Sequence, residues 1–179
     1  MNLVERTLTV GHNGERGGTC EGFLAAPAQE GGPGVLVLAG SSGRIDAERC
    51  RIRAREGLTA LSVRWFGGPG QPPGICEVPL ETFVSATGLL RSRGARRVGV
   101  LGLSKGAEAA LHLSVLDPGT DAVVALSPTS LTWADVGPEH AHLRRPSRRG
   151  CDPGGAVRSG PADRRGRGRC DVAVAALRG

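Results

Sequence analysis

Aromatic residues are scarce in this chain, at 3% of 179 residues, with no tyrosine, two tryptophans and three phenylalanines. Long apolar runs are missing too. No stretch approaches the roughly 18 consecutive apolar residues of a membrane-spanning helix, so no membrane partner is expected. The opening MNLVERTLTV carries two charges and no apolar block, which excludes an ordinary secretory signal. The five cysteines (Cys20, Cys50, Cys76, Cys151 and Cys170) include no close pair with metal-ligand spacing. An odd count without an export signal reads as reduced thiols in a cytoplasmic protein, and no metal or other cofactor is expected.

Apolar residues reach 39%, enough for one core, and the length fits one domain. The formal net charge of +6 is unevenly placed. Residues 1–143 hold 13 Lys+Arg against 14 Asp+Glu, whereas residues 144–179 hold 10 Arg against 3 Asp. A nucleic-acid-binding domain needs a basic face on its folded part. Here that part is near neutral, and the basic tail has no aromatic residue to stack on bases. A nucleic-acid partner is therefore ranked last, and the sequence says nothing of oligomeric state.

From Met1 to about His142, short apolar runs alternate with amphipathic stretches. Glu21–Ala26 reads as an early strand stopped by Pro27. Val35–Ala39, apolar throughout and bounded by glycines, reads as a strand buried on both faces. Arg44–Glu56 sets Ile45, Cys50 and Ile52 among charges and is closed by Gly57, which predicts a helix. Leu58–Val63 reads as a strand, and Val78–Arg93 carries apolar residues at helical spacing. Val98–Leu101 reads as a strand, Ala107–Leu116 as a strong helix former, and Ala122–Leu126 as one more buried strand. The alternation predicts an α/β fold on a mostly parallel sheet flanked by helices.

After Leu143 the character changes. The stretch from Arg144 to Cys170 has no Ile, Leu, Met or aromatic residue and cannot bury enough apolar surface to offset its chain entropy. Residues 1–143 are thus read as a partial α/β domain. Residues 144–179 are read as an Arg/Gly/Pro-rich tail, either disordered or the product of a GC-rich frame shift. Only Val172–Leu177 in the tail has the make-up of a regular element.

The most informative residues are Gly102-Leu103-Ser104-Lys105-Gly106. They match G-x-S-x-G, with a predicted strand before and a predicted helix after, as a nucleophile elbow requires. A tight strand-to-helix turn strains the nucleophile's backbone and lifts its hydroxyl into the open. Flanking glycines relieve the crowding. On this reading Ser104 is the nucleophile, and the Lys105 N–H, at the helix N-terminus, is an oxyanion donor. A second donor comes from the loop after an earlier strand, here Gly40-Ser41-Ser42-Gly43, with Ser42 the first choice and Ser41 the alternative. The plainer account is a tight βα turn that needs small residues, with Ser104 only a cap.

The stretch from about Gly34 to Trp133 resembles the catalytic domain of the acyl-CoA thioester hydrolase and bile acid-CoA:amino acid N-acyltransferase family, α/β-hydrolases near the dienelactone hydrolases. The resemblance is carried by PGVLVLAGSSG, LTALSVRWFGGPGQPP, VPLETF, RRVGVLGLSKGAEAALHLS and VVALSPTSLTW. It implies an α/β-hydrolase fold, incomplete on its C-terminal side, an acyl-Ser104 intermediate, and a small acyl thioester or ester as substrate. Longer members of the family carry an immunoglobulin-like domain first; 33 residues precede Gly34 here, so none is expected.

In such hydrolases the acid and then the histidine follow the nucleophile, each after a later strand. Neither is recognisable. His112 falls within the predicted nucleophile helix, and His140 and His142 lie too early. Asp135, Asp152, Asp163 and Asp171 are acids only formally, and the sheet is expected to end on an unpaired edge. A serine without a base is a weak nucleophile, so a crippled enzyme is expected. A carboxylesterase or dienelactone hydrolase-like enzyme and a non-catalytic hydrolase-fold binding module are the alternatives. Arg91, Arg93, Arg96 and Arg97 suit either coenzyme A phosphates or a solvated helix end. Arg49, Arg51, Arg53 and Arg55 suit a surface. Lys105, the only lysine, suits an anionic substrate or plain exposure. Trp65, Phe66 and Gly67–Gly70 are candidate walls of an acyl pocket, and Glu108 answers to the helix dipole.

Overall fold

The computed structural model describes residues 2–12, 18–29, 31–75 and 78–129, and the backbone of three short segments at 132–133, 156–157 and 171–175. The chain opens with a hairpin, β1 (Leu3–His12) and β2 (Gly18–Pro27), paired antiparallel in register from Leu3–Pro27 to His12–Gly18. Then strands and helices alternate. β3 (Gly34–Leu38) is followed by α1 (Ala47–Arg55), β4 (Thr59–Val63), α2 (Glu81–Ser92), β5 (Val98–Leu103), α3 (Lys105–Leu116) and β6 (Ala122–Leu126). The short strands β7 (Thr132–Trp133) and β8 (Ala156–Val157) pair antiparallel in a separate ribbon. β9 (Asp171–Ala175) joins the main sheet.

That sheet has seven strands in the order β1-β2-β4-β3-β5-β6-β9. From β4 to β9 every pairing is parallel, and β2 meets β4 antiparallel. The predicted mostly parallel α/β sheet is therefore present. Its central strand explains itself: all five residues of β3 are buried, because the sheet is covered on both faces. On one face α2 and α3 bring Phe83, Ala86, Leu90, Ala107, Ala110 and Leu113 onto Leu36, Leu38, Leu61, Val98, Val100 and Val123. On the other face α1 sets Cys50 and Ala54 against Ala25, Val35, Val37 and Ala60. In α1 the inward residues are Cys50 and Ala54, four apart, and Ile52 faces solvent at 39% exposure. Cys20 and Cys50 are free buried thiols, and burial pushes them up to about 11 and about 12.

Two expectations change. The strand at Glu21–Ala26 is one arm of a hairpin whose other arm, β1, was not read from the sequence. β1 is an edge strand with most of its residues exposed, and its charges interrupt an apolar alternation. The sheet also does not end on β6. The Val172–Ala175 run, read as part of the tail, falls in β9, which pairs parallel with β6 from Ala122–Asp171 to Leu126–Ala175.

Candidate active site

All parallel strands end at one edge, and there β5 runs into α3 with a single residue between them. That residue is Ser104, at φ 52° and ψ −116°. Its N–H donates to Leu126 O at 2.8 Å, and its carbonyl accepts from Ala107 N at 2.8 Å and Glu108 N at 3.2 Å. The side chain makes no cap bond to the helix, and the residue is exposed. Ser104 thus stands at the N-cap of α3 but does not cap it through its hydroxyl.

Glycine on either side is a steric demand. A Cβ on Gly102 would meet the Gly106 carbonyl and lie 2.6 Å from Ala107 Cα. One on Gly106 would lie 2.5 Å from Ala39 O. The first turn of α3 packs against both its own strand and the end of β3, and only hydrogen fits in the gaps.

The loop after β3 faces this turn. A Cβ on Gly40 would stand 3.4 Å from Ser104 Cβ and 3.9 Å from Ser104 Oγ. Gly43 N donates to Gly40 O at 3.0 Å, closing a turn with Ser41 and Ser42 at its exposed centre. Among the described residues, no main-chain acceptor takes the Ser41 or Ser42 N–H. The turn is braced from behind. Gly43, at φ 57°, lies so close to the Phe66 ring that a Cβ there would come within 2.6 Å of it. Asp46 N donates to the buried Ser62 Oγ at 3.0 Å, tying the start of α1 to β4. Asp46 also caps α1 by accepting from Arg49 N at 3.1 Å.

Trp65 and Phe66 are therefore not open pocket walls. They are 3% and 7% exposed and pack edge-on to each other at 4.8 Å, with Phe83 5.5 Å from Trp65. Their place is the core beneath the loop that faces Ser104. Gly67 and Gly70, both at positive φ, shape the turn that follows.

Lys105 departs most from its sequence reading. Its Nζ pairs with Glu108 Oε2 at 2.9 Å, the two side chains being 16% and 5% exposed. Glu108 Oε1 also accepts from Thr129 Oγ1 at 2.6 Å. The lysine charge is thus engaged inside the turn of the helix, and Glu108 does more than answer the helix dipole. The GLSKGAE and ALSPT stretches, distant in sequence, meet here. Sequence reasoning missed Thr129 and also Ser127, an exposed serine at φ 53°. No local signal marks either, since their contacts with the Ser104 turn come from elements far apart in sequence.

The arginines before β5 belong to the opposite end of the sheet. Arg91 pairs with Asp121 at 2.9 Å, and Asp121 Oδ2 accepts from Val98 N at 2.7 Å, at the amino ends of β5 and β6. They stand at the end of β5 away from Ser104. Arg51 lies on Glu5 at 2.9 Å and over the Phe23 ring. Asp171 opens β9 opposite Ala122, so it too stands at the far end and is not a triad acid. His112 is half-buried in α3, eight residues beyond Ser104, about 12 Å along the axis. His140, His142, Asp135, Asp152 and Asp163 lie outside the described residues.

No family model matches the chain. Human acyl-coenzyme A thioesterase 1 is 28% identical over 116 residues, 63% of this chain and 28% of that protein. Mouse mitochondrial acyl-coenzyme A thioesterase 2 is 28% identical over 116 residues, 63% of this chain and 26% of that protein. A putative dienelactone hydrolase from Klebsiella pneumoniae superposes with a TM-score of 0.60 at 18% identity, over 72% of this chain and 61% of its own. The chain shares the α/β fold of that structure. A thermostable carboxylesterase from a metagenomic library superposes too, with a TM-score of 0.59 at 19% identity over 73% of this chain and 48% of its own. The chain spans little more than a quarter of the length of the two thioesterases, at 28% and 26%. Among the described residues, no helix is long and apolar enough to cross a membrane.

Proposed function

We propose that the chain carries the acyl-accepting half of a serine hydrolase for small acyl thioesters or esters. The observation that carries this reading is Ser104 itself, an exposed hydroxyl on a strained turn between strand and helix, beside the Gly40–Gly43 loop. Ser104 Oγ attacks the acyl carbonyl carbon, and the C–O bond forms as the carbonyl π electrons move onto oxygen. The Lys105 N–H and the Ser42 N–H, with Ser41 as the alternative, receive that oxyanion. Collapse breaks the bond to the leaving sulfur or oxygen, which takes up the proton given by the Ser104 hydroxyl through solvent and departs as thiol or alcohol; acyl-Ser104 remains, and water or an amine then opens it.

Acyl-CoA is the favoured substrate class, because the sequence relatives are acyl-coenzyme A thioesterases. A proton acceptor for Ser104 is not found among the described residues. A hydrolase site reduced to binding and oxyanion donors retains about 10³–10⁴ over water, so slow acylation is expected. Incubation with a fluorophosphonate should label Ser104 slowly, and Ser104→Ala should abolish labelling. A folded chain that never labels refutes the reading. One observation favours a non-catalytic binding module instead: Asp171 stands at the wrong end of β9 to serve as the triad acid. Saturable binding of an acyl-CoA without labelling identifies that case.

A further inference from the structure

The segment after β6 is fastened to the Ser104 turn at two points. Leu126 O accepts from the Ser104 N–H at 2.8 Å, and Thr129 Oγ1 donates to Glu108 Oε1 at 2.6 Å. Between the fastenings stands Ser127, at φ 53°. A serine keeps that backbone only where its surroundings force it to. β5 and β6 are neighbours with Leu103 opposite Leu126, so Ser104 and Ser127 leave adjacent strand ends side by side.

Glu108 is the buried end of the second fastening, at 5% exposure. Both its oxygens are engaged, one by Lys105 Nζ and the other by the Thr129 hydroxyl. A carboxylate is tolerated inside a protein when it is paired and hydrogen-bonded, and a hydroxyl bond to a charged oxygen is among the stronger kinds. Carboxylate and hydroxyl therefore hold each other in place.

We propose that Glu108 is a positioning residue for Ser104: through Thr129 it holds the 126–129 segment in its strained form, and so holds the Leu126 carbonyl on the Ser104 N–H. With that tie released, Ser127 relaxes, the Leu126 carbonyl turns away and the Ser104 turn loses its fixed backbone. As a statement about reactivity this rests on Ser104 being the acyl acceptor; as a statement about geometry it does not.

Thr129→Val removes the hydroxyl at nearly constant shape, and Thr129→Ser keeps it. Hydrogen exchange at the Ser104 amide and the rate of fluorophosphonate labelling are read on the folded full chain. In Thr129→Val the Ser104 amide should exchange roughly tenfold faster or more, the effect of losing one hydrogen bond to a charged group. Leu36, in the middle of β3, should be unchanged, and Thr129→Ser should restore the Ser104 value. Labelling should slow in the first variant and recover in the second. Unchanged exchange at Ser104, an equal rise at Leu36, or a loss that Thr129→Ser does not repair overturns the inference. Faster exchange with unaltered labelling overturns it as a statement about reactivity. If the parent chain does not label at all, the acyl-enzyme reading falls, and the exchange measurement alone decides this one.

Discussion

At φ 52° and ψ −116°, Ser104 occupies backbone space that suits glycine, and a residue held there stores of order 1–3 kcal/mol. On the proposed reading, the hydroxyl rather than the stability of the fold accounts for a serine at that point. Ser104→Gly should therefore leave a folded chain that is more stable by about 1 kcal/mol and inert to fluorophosphonate. Chemical denaturation with a labelling control checks both; a less stable variant removes the argument from strain. The turn at Ser104 was legible because G-x-S-x-G between a strand and a helix has a steric cause, now visible in what a Cβ at Gly102 or Gly106 would strike. Lys105 and Glu108 were not. A Lys and a Glu three apart on a helix look the same in sequence whether they lie in water or, as here, at 16% and 5% exposure. Burial is decided by β6 and the segment after it, which a local reading does not contain.

Elements were readable where a whole face is buried and unreadable where the chain lies at an edge. β3 announced itself through five buried apolar residues in a row. β1 did not, since an edge strand needs only one covered face and tolerates Glu5 and Arg6 in its middle. In α1 the charges obscured which residues turn inward, and Ala54 rather than Ile52 proved to face the sheet. At the far end from Ser104, Asp121 joins three elements: it accepts from Val98 N in β5, pairs with Arg91 of α2 and precedes β6. The Val98 N–H first, and then Arg91, hold its carboxyl below the usual range. A carboxyl depressed in the folded state contributes stability above its unfolded pKa, about 4, and that contribution is lost as pH falls through the folded value. Asp121→Asn should be less stable than the parent chain at pH 7, with the gap closing below about pH 4. Urea midpoints at several pH values measure it, and a gap independent of pH contradicts this account.

At the level of the whole molecule, the sheet order β1-β2-β4-β3-β5-β6-β9 places the hairpin and β9 at opposite flanks and the site near the middle, where β3 and β5 end together. That arrangement needs pairings between distant parts of the chain, so no local pattern reveals it. The composition holds one more consequence. Basic charge is supplied almost wholly by arginine, and the single lysine is locked against a carboxylate at the foot of α3. The Lys105 amine is therefore shielded from amine-directed reagents while the fold is intact. A succinimidyl ester at neutral pH should modify Lys105 far faster in denaturant than on the native chain, as peptide mass mapping would record. Acylation of that one side chain thus becomes a clock for the opening of the first turn of α3.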